Sequence, residues 1–233
     1  MAQPKQPKRK PDNAMTPQAL RDSLLAAALP HVPFDGWSRQ ALLRGAEDAG
    51  INPDDVDRAF PDTPLDMIEH HSMMADRAMM ARLEELDLPS MKIRERIAAA
   101  VRTRLEQNAD DREAIRRALA ILAMPPNALL ATRLLYRTVD AMWYAAGDES
   151  TDFNFYSKRG LLAAVFSSTV LYWLNDRSDG FEDTFAFLDR RIADVMRVPR
   201  LTARCRDAGD RLPNPFRILR EFRAGFRPGR GRV

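Results

Sequence analysis

Apolar side chains recur at three- and four-residue spacing along almost the whole chain, and no stretch shows sustained period-two alternation flanked by hairpin turns. That pattern restricts the chain to helices packed on helices, an all-α fold. No unit of about 20–50 residues repeats, so the chain is not a solenoid.

Start and stop signals set out the helices. Thr16 before Pro17 is an N-cap and first-turn signal, followed by Leu20, Leu24, Leu25, Ala28 and Leu29; Pro30 and Pro33 end that helix. Ser38 caps a second helix carrying Leu42, Leu43 and Ala46 and closed by Gly50. Asn52-Pro53 opens a short third helix. Thr63-Pro64 starts a fourth, to about residue 86, with Asp66 as an acidic capping-box partner of Thr63. Further helices are predicted over 91–107, 111–124, 126–145, 152–174 and 179–198.

Three short helices before longer ones resemble the layout of a TetR-type repressor, a helix-turn-helix ahead of a ligand-binding helical body. A generic helical bundle with a Gly turn is the alternative. A ligand-responsive transcriptional regulator is the function that layout implies. The third helix opposes it: Asp54, Asp55 and Asp57 would face phosphates with only Arg58 to offset them, and Asp62 and Asp66 extend the acidic face. No nucleic-acid partner is expected.

The net charge of +3 hides a division along the chain. Residues 1–13 carry +3 and residues 198–233 carry +7, whereas residues 14–197 hold 22 basic and 29 acidic side chains, a net of −7. The tails attract polyanions, and the body repels them. A single cysteine, Cys205, excludes an internal disulfide framework and multi-cysteine metal sites. The apolar run over 160–174 is too short to cross a bilayer, and residues 1–13 lack the apolar region of a secretory signal and the amphipathic pattern of a transit peptide. A cytoplasmic bacterial protein is expected, peripheral on the inner face of the inner membrane.

Catalytic constellations are absent from the pattern. His31, His70 and His71 are the only histidines, and the adjacent pair lies about 100° apart on a helix, a poor arrangement for one metal. They are expected at the solvent face or an edge. No His-Glu-x-x-His or Gly-rich phosphate loop occurs. The reading is a non-enzyme without metal or cofactor.

Apolar side chains point instead to a pocket or a partner. Methionines cluster over 67–91, a residue type that lines adaptable surfaces and also fills irregular cores. The predicted helix over 152–174 is apolar nearly all round and must be buried on most sides, in a core, a lipid-sized cavity or a two-fold interface. Candidate lipid contacts are Met73, Met74, Leu130, Leu134, Trp143, Leu162, Phe166 and Trp173. A homodimer built on this helix and the next is expected.

Near the C-terminus, Phe216, Ile218, Leu219, Phe222 and Phe226 fall at helical spacing, with Arg217, Arg220 and Arg223 mainly opposite. A basic amphipathic helix of this kind lies in an anionic membrane interface, phenylalanines down and arginines among the headgroups. Docking on the protein's own body is the alternative. The organisation is then a disordered basic tail over 1–14 and a helix-turn-helix-like part over 15–62. A helical lipid-binding and dimerisation body follows over 63–198, then a linker over 199–213, the amphipathic helix over 214–227 and a disordered tail over 228–233.

The run Gly147-Asp148-Glu149-Ser150-Thr151-Asp152-Phe153-Asn154-Phe155-Tyr156 closely resembles the ubiquinone (coenzyme Q) biosynthesis accessory lipid-binding proteins of the coenzyme Q ninth-member family. So do the surrounding residues 140–192 and the Ala28-Leu29-Pro30-His31-Val32-Pro33-Phe34-Asp35-Gly36-Trp37 stretch. The resemblance implies a TetR-like dimer that does not bind DNA. It also implies a body that binds isoprenoid quinones or phospholipid, a C-terminal helix on the membrane, and assistance to the demethoxyubiquinone hydroxylase. It implies further that Asp152, Phe155 and Tyr156 contact that hydroxylase, with Met142 at a further patch or the pocket edge. Phe155 stands where the family usually has Trp, keeping the apolar contact without the indole donor. Asp152 is alternatively just the cap of its helix.

Overall fold

The computed structural model describes residues 15–148 and 153–211, without the side chains of 153–155 and 197–211. Asp152, the side chain of Phe155, and the segments 1–14 and 212–233 lie outside the described residues, and with them every residue of the expected amphipathic helix. All regular elements among the described residues are helical: α1 Pro17–Ala28, α2 Val32–Asp35, α3 Arg39–Ala49, α4 Asp54–Ala59, α5 Leu65–Glu84, α6 Ile93–Glu106, α7 Arg112–Leu122, α8 Ala128–Ala145, α9 Phe153–Trp173 and α10 Glu182–Arg211. The chain divides into two units, residues 1–188 and 189–233. Of the second, the described part is helix as far as Arg211.

Local chemistry starts and stops the first helices as the sequence predicts. Thr16 accepts the Ala19 amide and Ser38 accepts the Ala41 amide. Gly50 closes α3 at φ +64°, a left-handed conformation that glycine adopts without penalty. The start of α5 differs from expectation. Asp66 accepts the amide of Asp62 (2.8 Å), and the Thr63 hydroxyl donates back to Phe60 O, so Thr63 and Asp66 do not form a reciprocal box. A second difference lies in α10, which continues to Arg211 where the sequence suggests a linker from 199. Pro199 reads as a helix stop, yet Leu201, Ala203 and the arginines around it are good helix formers.

One apolar core runs through the first unit. Leu24, Leu25 and Ala28 of α1 meet Leu42 and Ala46 of α3, Val56 of α4, and Met67 and Ile68 of α5, and the same cluster continues into Ala114, Ala118 and Leu134 of α7 and α8. The helix-turn-helix-like part and the body therefore share a core. Trp37, in the α2–α3 connection, donates its indole N–H to Ala114 O on α7 (2.8 Å) and seals that junction. Helix α5 packs on α6 and α8, and α8 packs on α9.

The end of α9 is held by two arginines and a carboxylate. Arg112 donates to Trp173 O (2.6 Å) and Asp176 O (2.7 Å), and Arg116 donates to Leu174 O, so cations sit at the negative end of the helix. Asp176 accepts the amides of Ser178 and Thr184 and both their hydroxyls. Burial pushes this carboxyl's pKa up, but the hydrogen bonds from Ser178 and Thr184 outweigh it and hold the pKa at about 2. Among the described residues, no single helix is long and apolar enough to cross a membrane.

Candidate functional site

Helices α5 to α9 line a half-open cavity of about 420 Å³, within the roughly 300–1,000 Å³ typical of small-molecule sites. Helix α7 supplies one wall because its charges segregate: Arg112, Glu113, Arg116 and Arg117 take one side, and Ile115, Ala118, Leu119 and Leu122 face the cavity. The opposite wall is Ala131, Leu134 and Leu135 of α8 with Phe166, Val170, Leu171 and Trp173 of α9. Space arises where alanines 118, 123 and 131 stand at positions a larger side chain would fill. Trp173 is fixed in this wall by the Arg112 guanidinium 5.4 Å over its ring and by the edge of Phe181. Polar groups gather on the α5–α6 side, where His71, Ser72, Arg104 and Asn108 meet Thr138 of α8.

Two of the three histidines are not where the sequence placed them, while His31 lies at an edge as expected. His70 and His71 are buried, because each finds a carboxylate that makes burial tolerable. His70 Nε2 lies 2.7 Å from Asp22, which also takes both bonds of Arg77, and the ring stands edge-on to Phe60. His71 packs edge-on to Trp37 with Asp111 at 3.7 Å. His31 pairs with Asp48 at 2.7 Å, partly exposed. Burial lowers the pKa of His70 below its ordinary 6.5, with the Asp22 hydrogen bond opposing. A depressed folded-state pKa contributes stability that is fully present above pH 6.5 and is lost as pH falls below it, since the unfolded chain then binds the proton more readily. The thermal midpoint is therefore expected to fall between pH 7.5 and 5.5, and His70→Asn is expected to flatten that slope. An unchanged slope in calorimetry of the variant would remove the assignment.

The entry to α9 is a charge cluster. Lys158 donates to Asp148 (2.8 Å), while Arg159, itself buried, donates to Asp140 on α8 (2.6 Å) and to Asp148 (3.4 Å). These bonds lash the first turns of α9 to the end of α8. Tyr156 emerges from this region 68% exposed. On the short helices, Arg39 is engaged bidentately by Asp57 (2.6 and 2.8 Å) and Arg58 by Asp55 (3.0 Å).

The family model for COQ9 matches residues 128–199, from the start of α8 into α10. The human ubiquinone biosynthesis protein COQ9, mitochondrial, is 33% identical over 202 residues, covering 84% of this chain and 63% of the human one. The chain belongs to the COQ9 family. The Drosophila melanogaster protein of the same name is 33% identical over 184 residues, covering 77% of this chain and 56% of its own length. This COQ9-family chain thus spans somewhat under two thirds of the curated relatives it matches. A TetR transcriptional regulator from Nitrosomonas europaea superposes with a TM-score of 0.63 at 19% identity, covering 76% of this chain and 98% of the regulator. The fold is TetR-like, as the short-helix layout implied. One expectation falls: the human and fly COQ9 relatives are mitochondrial proteins, which overturns the bacterial cytoplasmic location read from the chain's N-terminal residues.

Of the candidate lipid contacts, Leu134, Phe166 and Trp173 line the cavity of this COQ9-family chain. Leu162 is buried outside it, and Met74 and Leu130 pack against the main core. Met73 points outward, 38% exposed. Trp143 sits beneath the Lys158 ammonium (5.6 Å), its indole N–H meeting no acceptor among the described residues. Met142 is fully buried, at neither a surface patch nor the edge of the cavity. Sequence reasoning missed the α7 wall, although the segregated charges of α7 were a visible signal. It also missed Arg104 and Asn108, whose burial has no local signature.

Proposed function

We propose that this protein is a non-catalytic, lipid-binding accessory of ubiquinone biosynthesis that takes up isoprenoid quinone intermediates or phospholipid and presents them to the demethoxyubiquinone hydroxylase. The observation that carries the reading is the cavity, walled by aliphatic and aromatic side chains from α7, α8 and α9. A polyprenyl chain leaves a bilayer only if its apolar contacts are replaced, and such walls supply the replacement. The basic amphipathic segment over 214–227 would bring the cavity to an anionic membrane surface, and exposed Tyr156 would meet the enzyme beside Asp152 and Phe155.

A homodimer would be built on α9 and the helix that follows it, α10. The regulator reading is disfavoured by charge. The three arginines of α3 and α4, Arg39, Arg44 and Arg58, are each already held by an aspartate.

Mass spectrometry of lipids extracted from the purified full chain tests the proposal. Prenyl quinone or phospholipid is expected near one per cavity, and removal of residues 212–233 is expected to abolish sedimentation with anionic liposomes while far-UV circular dichroism is retained. A chain that purifies empty and ignores vesicles overturns it.

A further inference from the structure

At the polar end of the cavity stands an arginine with half of its hydrogen-bonding capacity unspent. Arg104 is 9% exposed, and its Nε donates to Asp76 (3.2 Å). Asp76 is otherwise occupied by the Thr138 hydroxyl (2.8 Å) and Arg137 Nε (3.4 Å), and the Arg104 backbone is held from below by Asn108, whose Nδ2 donates to Arg104 O (2.6 Å). Among the described residues, neither terminal nitrogen of Arg104 hydrogen-bonds to a protein group. Arg104 and Asn108 both line the cavity. A guanidinium normally meets a carboxylate through two parallel bonds; here Asp76 takes only the Nε bond, which fixes the plane and leaves the Nη1–Nη2 edge for something else. Neither terminal nitrogen is among the fully buried unpartnered atoms, so the edge keeps access to the water-sized space of the cavity, and a ligand oxygen would take the place of water there.

We infer that the cavity binds its lipid in one orientation, with an acceptor oxygen at the end of a long apolar chain seated on the Nη edge of Arg104 and the chain running along α7 to α9. The inference deepens the lipid-binding reading and rests on it. Either a neutral carbonyl or an anionic head fits this chemistry, and hydrocarbon without oxygen does not. Asp76 acts as the positioning residue that aims the guanidinium.

The test is competitive loading. Delipidated full-length protein is equilibrated with phosphatidylcholine vesicles doped equally with 2-hexadecanone, palmitate and hexadecane, re-isolated, and its bound lipids are quantified. Enrichment of the ketone or the palmitate over hexadecane by about tenfold or more is expected, the size of one charge-assisted hydrogen bond. Whichever is enriched identifies the head as neutral or anionic. Arg104→Met is expected to erase the enrichment while total loading stays within about threefold, an order-of-magnitude expectation for a change confined to one contact. Arg104→Lys keeps a cation beside Asp76 but loses the planar edge, and is expected to erase most of it if the methionine variant does not fold. Equal uptake of all three probes by the wild type overturns the inference while leaving the lipid-binding reading intact, as does full enrichment in Arg104→Lys. Uptake of phosphatidylcholine with none of the three probes overturns the inference alone, and no uptake of any lipid overturns both.

Discussion

Gly45→Ala is expected to destabilise the first unit by about 2–3 kcal/mol, although alanine at an ordinary helical glycine stabilises by roughly 1 kcal/mol. The sign is decided by what the new methyl meets. A Cβ at position 45 would lie 2.6 Å from Ala28 N and 2.8 Å from both Ala27 C and Ala28 Cα. All three are backbone atoms of α1, so no rotamer change relieves the overlap. The helices themselves must separate, and the contact they share carries Leu24, Leu25, Ala28, Leu42 and Ala46 at the head of the core. Gly160→Ala is the internal control, because its Cβ meets nothing within 4 Å and only the propensity gain of up to about 1 kcal/mol remains. Urea midpoints of the two variants are expected to move in opposite directions. Equal midpoints would show that α1 and α3 do not cross at Gly45.

That crossing illustrates which parts of the molecule were legible before the structure. Thr16, Ser38 and Gly50 act on amides or carbonyls within a few residues, so their roles follow from local pattern alone. Phe166 and Trp173 were legible as members of a helix apolar nearly all round, and Leu134 as an apolar position of its own helix. What such periodicity cannot specify is the neighbour. Met67 and Met79 fill the core while Met73 faces out, because a flexible thioether suits all three settings equally. The cavity depends on alanines of α7 and α8 facing one another across the bundle, a vacancy made by pairs distant in sequence. Arg104 and Asp76 are 28 residues apart, and His70 finds Asp22 at a separation of 48. Each charged or titratable side chain reads as a surface residue until its partner is placed, and so both were expected outside or not considered at all.

The second large effect expected concerns the cavity itself. Ala131→Trp should reduce the lipid that co-purifies by about tenfold or more, the loss expected when a bulky ring takes ligand space in a pocket already at the small end for its class. Ala131 lies on the cavity wall beside Leu134 and Leu135, one turn from the exposed side of α8. An indole there enters empty space and does not force packed atoms apart, so the usual penalty for overpacking is small and the added apolar contacts offset it. The thermal midpoint of the delipidated variant is therefore expected to stay at or above that of delipidated wild type, which separates blocked binding from damaged folding. Comparison without lipid matters, since a bound ligand raises the midpoint by mass action. Leu129→Trp, on the same helix at a site 87% exposed, controls for the residue added and should leave lipid content unchanged. If the tail holds the membrane independently, Ala131→Trp will still sediment with anionic vesicles while carrying nothing. Retention of full lipid by a folded Ala131→Trp protein would place the ligand outside the α7–α9 walls, and the reading of this cavity as the lipid site would have to be abandoned.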